Sequence, residues 1–239
     1  MALDQFGYAG GITSLFIVAL AYLCASVFLT RYLSSRRIEP LLQGIVFFAV
    51  GSSWLGVLFG FLYALSGETL GKVAVIRIWG WAPAVIATVW VYLVLNTIKP
   101  RFKLSGALIC GGLNIIYLYL VYANTDQYST YQIVGGVPDS SLTGLAALFL
   151  FIHILIIILI VATTYLWIGF KSETPSVQLQ GKVVGLAVLI FASFAILDSA
   201  VLLQSVLFVI IVRAMLIISI FFVYLGFTLP EWFQGRFIK

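Results

Sequence analysis

The chain has 239 residues, of which 63% are hydrophobic and only 9% are charged, and its mean hydropathy is +1.16. This composition excludes an ordinary soluble domain, because so many apolar residues need a lipid environment. The net charge of +5 does not indicate nucleic-acid binding, since the basic residues are divided among short loops and form no recognition module. We therefore expect a protein whose main partner is the lipid bilayer.

Seven apolar runs follow one another along the chain, and each is long enough for a membrane-spanning helix of about 20 residues. They cover residues 11–33, 41–65, 73–95, 104–123, 142–170, 183–204 and 205–229. The last two form one stretch about twice the length of a crossing, so the polar pair Gln204 and Ser205 is the predicted turn. The sequence predicts an all-α, polytopic bundle of seven transmembrane helices, with residues 1–239 forming a single domain.

The distribution of Lys and Arg predicts the orientation of this bundle, because short basic loops stay in the cytoplasm. Alternate connections and the C-terminal end hold Arg31, Arg36, Arg37, Lys99, Arg101, Lys103, Lys171, Lys182, Arg236 and Lys239. The other set of connections holds only Lys72. We expect a multi-pass plasma-membrane protein with its N-terminus extracellular and its C-terminus cytoplasmic.

Short internal similarities are compatible with two three-helix units joined by the fourth helix. Gln43 and Gly44 open the second helix as Gln180 and Gly181 open the sixth, and a Val-Tyr-Leu triplet recurs near the ends of the third and seventh helices. A 3+1+3 arrangement would explain this pattern. Chance similarity between apolar helices would explain it equally well.

Small side chains recur every four residues in the second helix and predict a close helix contact. They are Ser52, Gly56, Gly60 and Ala64. A stripe of this kind lets a neighbouring backbone approach closely. We interpret it as helix packing within the chain, with a dimer interface as the alternative.

Four ionisable residues within the apolar runs are the candidate ligand-binding residues, because charged groups in the membrane are costly. They are Arg77, His153, Asp198 and Arg213. With a rise of about 1.5 Å per residue, all four fall in the outer half of the bundle. Asp198 and Arg213 lie at matching depth and are expected to form a structural ion pair. Arg77 would then leave a surplus positive charge for a small anionic ligand, unless it extends to the interface.

Catalysis and metal binding are not expected. The chain has no nucleophile elbow, zinc-protease motif, phosphate-binding loop or paired carboxylates within the apolar runs. His153 is the only histidine, so a site with several histidines is excluded. It is either a buried histidine with satisfied hydrogen bonds or a pH-sensitive member of the outer cluster. We predict no enzyme activity, no metal and no cofactor.

The longest connection, residues 124–141, is predicted to be a short ordered hairpin that caps the outer end of the bundle. Tyr131 to Val134 form an extended run, and Gly135 and Gly136 supply the turn. This cap would cover the outer polar cluster.

Arg77 and Trp81, with three residues between them, resemble the Arg-x-x-x-Trp of the third helix in microbial rhodopsins. The predicted topology is also similar to theirs. Gly80 stands where that family has an ionisable proton acceptor, and the seventh helix has no lysine for a retinal Schiff base, so retinal is excluded. Residues 224–232 resemble the endings of small prokaryotic, including archaeal, seven-helix proteins and of sensor modules that precede histidine kinases. The resemblance implies a sensory class and no mechanism.

These observations favour a sensor or receptor-type module with a ligand- or pH-responsive polar cluster. A shift of the sixth and seventh helices would carry the signal to a cytoplasmic or membrane protein partner. The first alternative is a small solute transporter whose two halves rock about a central site. The second is a non-catalytic accessory or scaffold subunit of a membrane complex, in which the charges are purely structural.

Overall fold

The structure of the chain is a computed structural model that describes residues 3–199 and 205–238. It is mostly helical, with one two-stranded sheet in the described part. The elements are α1 Gln5–Ser35, α2 Ile38–Ser52, α3 Leu55–Leu65, α4 Lys72–Trp79, α5 Ala82–Ile98, α6 Lys103–Ala123, α7 Thr125–Tyr128, β1 Ser129–Val134, β2 Val137–Leu142, α8 Gly144–Ile156, α9 Thr163–Lys171, α10 Pro175–Ser199, α11 Val206–Thr228 and α12 Glu231–Phe237. A 3₁₀ turn, Pro100–Phe102, precedes α6, and a π-helical segment, Ile157–Ala162, joins α8 to α9.

Within the described residues, six helices are long and apolar enough to cross a membrane. They are Gln5–Ser35, Lys72–Ile98, Pro100–Ala123, Gly144–Lys171, Pro175–Ser199 and Val206–Thr228. The predicted second span consists of two helices, α2 and α3, that meet at an angle of 43°. Counted as one bent span, this pair brings the total to seven.

Several helix ends differ from the ends of the predicted apolar runs. Side chains that cap a helix fix where it begins, and hydropathy does not detect capping. α1 begins at Gln5, well before residue 11, because the Asp4 carboxylate accepts hydrogen bonds from the backbone N–H groups of Phe6 and Gly7. Ser205 caps α11 by accepting a hydrogen bond from the Phe208 N–H at 3.2 Å. The other half of the predicted turn, Gln204, lies outside the described residues.

The long helices form a ring in chain order around an apolar core. α1 packs against α2, α3 and α11, α5 packs against α2 and α6, and α10 packs against α9 and α11. Large buried side chains such as Phe28, Trp90 and Leu216 fill the centre. Ile115 and Phe170 on the outside are 72% and 70% exposed, which is compatible with contact to lipid.

The predicted hairpin is confirmed. β1 and β2 pair antiparallel, and Gly135 and Gly136 make the turn with φ of 60° and 85°, a conformation that favours glycine. The hairpin is fixed over one end of the bundle, where the Asp4 N–H donates to the Gly135 carbonyl at 3.2 Å. The Tyr131 hydroxyl also donates to the Leu70 carbonyl at 2.7 Å. We call this end of the bundle the hairpin end.

The stripe of small residues is buried along its whole length, although the bend between α2 and α3 interrupts it. Its members are Ser52, Gly56, Gly60 and Ala64. The Ser52 hydroxyl lies 3.0 Å from the Tyr22 hydroxyl of α1. A methyl group added to Gly56 would meet Trp79 of α4, and one added to Gly60 would meet Pro138 of β2. The stripe therefore faces other parts of the same chain.

Three of the apolar segments are interrupted within the described residues, whereas each was predicted as one spanning helix. α2 gives way to α3 at Ser53 and Trp54, and α4 gives way to α5 at Gly80 and Trp81. The π-helical segment Ile157–Ala162 is the third interruption. Interruptions of this kind often lie beside functional sites, because they free backbone groups and redirect side chains.

Candidate functional site

A cavity of about 460 Å³ lies at the hairpin end, between the hairpin and the helices beneath it. Its wall includes Gly10 of α1, Trp54, His153 of α8, Asp198 of α10 and Arg213 of α11. The volume falls in the range typical of small-molecule sites, which is about 300–1,000 Å³. We call it the hairpin-end cavity.

An ion pair joins α10 to α11 in the wall of this cavity. The Arg213 Nε donates to Asp198 Oδ1 at 3.0 Å, and the Trp54 Nε1 donates to Asp198 Oδ2 at 2.9 Å. Both carboxylate oxygens are therefore hydrogen-bonded. The side chains of Arg213 and Asp198 are only 9% and 12% exposed, so the two charges depend on each other for compensation.

Arg213 also ties α11 to α1. Its Nη1 donates to the Gly10 carbonyl at 2.5 Å and to the Ser14 hydroxyl at 2.8 Å. Gly10 brings the α1 backbone close, since a methyl group added there would lie 3.6 Å from the same Nη1. One guanidinium thus connects α1, α10 and α11 at the hairpin end.

His153 belongs to a second buried network at the cavity wall. Its Nε2 lies 2.5 Å from Asn114 Oδ1, and its Nδ1 lies 2.5 Å from the Phe149 carbonyl. The Asn114 amide donates to the Ala84 carbonyl at 2.9 Å and to the Thr88 hydroxyl at 2.5 Å. His153 therefore helps to hold α5, α6 and α8 together, with an acceptor oxygen beside each ring nitrogen.

The structure does not bring Arg77 to this site. Arg77 lies on α4 with its side chain exposed and forms no part of the cavity wall. Its backbone carbonyl accepts a hydrogen bond from the Tyr122 hydroxyl at 3.1 Å. Of the four sequence-predicted ligand-binding residues, His153, Asp198 and Arg213 line the cavity. The surplus positive charge expected there depended on Arg77, which lies elsewhere.

Asp139 of β2 is the cavity residue that the sequence analysis missed. It lies opposite Gln132 in the hairpin, lines the cavity and is exposed at its surface. Nearby protein atoms partly remove water from the Asp139 carboxyl and raise its pKa. The charge of Arg213 and hydrogen bonds from Ser140 and Gln132 oppose this rise, and the charge of Asp198 adds to it. The Gly-Gly turn predicted a cap, but only the strand register shows that this carboxylate meets the cavity.

Replacing Asp139 with asparagine is expected to change how stability depends on pH. Because the pKa of the Asp139 carboxyl is raised in the folded protein, the folded state holds the carboxyl proton more tightly than the unfolded chain does. Its contribution to stability therefore falls as the pH rises above the ordinary aspartate value of 3.8. The melting temperature of Asp139→Asn minus that of the wild type should increase as the pH rises above 3.8, until Asp139 is ionised in the folded protein as well.

The matched control for this measurement is Asp126→Asn. Asp126 is also at the hairpin end, but its side chain is 91% exposed and pairs with Lys72 at 3.4 Å. This variant measures what removing a carboxylate at the hairpin end does outside the cavity wall. A constant or decreasing difference for Asp139→Asn would contradict the assigned environment of Asp139.

The described residues contain no group of three or more His, Cys, Asp or Glu side chains that could hold a metal ion. What the cavity offers is one ion pair, one further carboxylate and a largely apolar surface that includes indole rings. These groups are suited to binding an amphiphilic molecule. Comparison with known proteins finds no family model and no curated protein that matches the chain.

Proposed function

We propose that the chain is a sensor or receptor-type membrane protein that binds a small molecule in the hairpin-end cavity. The observation that carries the proposal is a cavity of about 460 Å³ with the buried Asp198–Arg213 pair in its wall. Three helices meet at this pair, so an occupant of the cavity contacts the groups that fix their relative positions. A scaffold would need no such space.

The proposed orientation places the hairpin end outside the cell. The connections at the opposite end, between α1 and α2, between α5 and α6, and between α9 and α10, carry most of the basic residues. That bias supports a cytoplasmic location for them, with seven spans, an extracellular N-terminus and a cytoplasmic C-terminus. In this arrangement α2 and α3 form one bent span.

The signal would pass along α10 and α11. A ligand that favours a different arrangement of Asp198 and Arg213 shifts the population towards helix positions compatible with it. α11 extends roughly 35 Å, from the cavity to the short helix α12 at the opposite end. A small displacement of α11 would therefore reach the surface available to a cytoplasmic or membrane protein partner.

Filling the cavity tests the binding function. Ala195 lies on the cavity wall in α10, and we expect Ala195→Trp to abolish ligand stabilisation while keeping the fold. The measurement is the melting temperature of detergent-purified protein against a set of cationic, neutral and anionic amphiphiles. A compound present at 100 times its Kd should stabilise the wild type by about 2.7 kcal/mol and the filled variant by nothing.

The control is Leu108→Trp, which adds the same side chain at a position that is 67% exposed on α6. This variant should retain the stabilisation seen with the wild type. If no compound stabilises the wild type, or if every active compound acts equally on Ala195→Trp, the cavity is not a binding site. The scaffold interpretation would then be preferred.

The interrupted helices favour a small solute transporter as the second candidate. Transporter sites are commonly built where helices break, because freed backbone groups contact the substrate. Trp54 and Trp81 lie at two such breaks, and Ile157 begins the π-helical segment at the cavity wall. Uptake of a compound that stabilises the wild type, measured in vesicles containing the purified protein alone, separates the candidates. Flux supports transport, and binding without flux supports sensing.

A further inference from the structure

We infer that the hairpin-end cavity takes an organic cation, namely an amine or ammonium group carried on an apolar body. The inference rests on the proposed binding function and adds the charge and chemical class of the ligand. It follows from the charges on the cavity wall, from the hydrogen bonds already made by each charged group, and from the shape of the space.

The charged groups of the cavity leave one carboxylate without a counter-ion. Asp198 and Arg213 neutralise each other at 3.0 Å. Asp139 forms no ion pair within 4.0 Å in the described part of the chain, where the salt bridges are Asp198–Arg213 and Lys72–Asp126. Asp139 and Asp198 stand against Arg213 alone, so the wall holds one carboxylate more than it holds guanidinium groups. A ligand of opposite charge compensates it.

The same groups on the cavity wall disfavour an anionic ligand. The cation on the cavity wall is Arg213, and its Nε and Nη1 already donate to Asp198, Gly10 and Ser14. An anion approaching Arg213 would also approach the carboxylates of Asp198 and Asp139. Like charges at close range in a partly dry site repel each other.

The shape and lining favour an organic cation over a metal ion. A volume of about 460 Å³ is far larger than an ion needs. Much of the lining is apolar or aromatic, including Trp54, Trp79, Phe151 and Phe191. Aromatic faces attract cations and also cover apolar bodies, and quaternary ammonium groups are commonly bound in this way. Trp79 is held in place by its indole N–H, which donates to the Ser140 hydroxyl at 3.1 Å.

Three compounds with the same body test the inference: 2-phenylethylamine, 2-phenylethanol and phenylacetate. At neutral pH they carry charges of about +1, 0 and −1 on one phenylethyl framework or its close equivalent. Their affinities for the purified wild type are measured by titration calorimetry and checked by thermal unfolding. The amine is expected to bind about tenfold or more tightly than the alcohol, and phenylacetate is expected to bind most weakly.

Asp139→Asn is the decisive variant. It should weaken amine binding by about tenfold to a hundredfold and leave alcohol binding unchanged, because it removes one charge and keeps the shape. Asp126→Asn removes the same charge from an exposed position at the same end and should change neither affinity. The melting temperatures without ligand establish that both variants are folded.

Each outcome separates this inference from the proposed function. If the alcohol or phenylacetate binds as tightly as the amine, or if Asp139→Asn leaves amine binding unchanged, the cavity is a binding site but not one for cations. If sodium chloride stabilises the protein as much as the amine hydrochloride at equal concentration, an organic ligand is excluded. If none of the three compounds binds, this inference is overturned, and the proposed binding function is decided separately by the set of amphiphiles and Ala195→Trp.

Discussion

Arg213→Ala is expected to lower the melting temperature by roughly 10 °C. Removing one partner of a buried ion pair costs about 3–5 kcal/mol, because the remaining charge stays buried without compensation. For a chain of 150–250 residues, each kcal/mol corresponds to about 2–4 °C. Among the described residues, the variant leaves Asp198 with the Trp54 indole as its side-chain donor, and it also removes the donor to the Gly10 carbonyl. The measurement is thermal unfolding in detergent at neutral pH.

A double variant identifies the reason for this loss. Asp198→Leu combined with Arg213→Met removes both charges and keeps apolar volume, so it should be clearly more stable than Arg213→Ala alone. Lys72→Ala is the surface control, because it breaks the exposed pair with Asp126 and should cost about 1 kcal/mol or less. A wild-type melting temperature for Arg213→Ala would show that the pair contributes nothing to holding α1, α10 and α11 together.

Gly181→Val is expected to prevent folding or to destabilise the protein by about 3 kcal/mol or more. Gly181 of α10 crosses α9 at Gly169 with the two backbones almost in contact. A Cβ at Gly181 would meet the Gly169 backbone nitrogen and would lie 2.5 Å from the Tyr165 carbonyl oxygen. These are backbone atoms, so the clash is relieved only by separating the two helices. The yield of monodisperse protein in size-exclusion chromatography and its melting temperature measure the effect.

Gly112→Val provides the matched control. Gly112 also lies within a long apolar helix, but a Cβ added there meets nothing within 4 Å. This variant should be produced and melt like the wild type. If both variants behave alike, the effect at Gly181 comes from loss of helix flexibility, and the close crossing of α9 and α10 is not what the glycine provides.

Hydropathy predicted the helices well because it measures what drives them into lipid, but it does not register where a helix breaks. Ser53 and Trp54 are neither Gly nor Pro, and they lie within an apolar run of ordinary appearance. At the bend, the Trp54 indole N–H donates to Asp198, which is distant in sequence. The Gly135–Gly136 turn was predictable, since two consecutive residues with positive φ need glycine.

The sequence predicted those contacts of the candidate site that follow from the depth of a residue in the membrane alone. Asp198 and Arg213 were expected at the same level on neighbouring antiparallel helices, and their side chains lie 3.0 Å apart. Arg77 was expected in the same cluster, but depth does not specify which face of a helix turns inwards. Asp139 was assigned to a loop, because only the register of β1 and β2 brings its carboxylate to the cavity.

The contact between the beginning of α1 and the hairpin turn affects how the protein is made. Asp4 and Gly135 are far apart in the chain, and Gly7 lets the turn lie directly on the first helix. During synthesis α1 emerges early and the hairpin much later. The hairpin can therefore cover the hairpin-end cavity only after more than half of the chain has been translated. A bulky fusion placed immediately before Asp4 would therefore obstruct a late step of assembly. C-terminal tags are the better choice for producing a protein that is competent to bind.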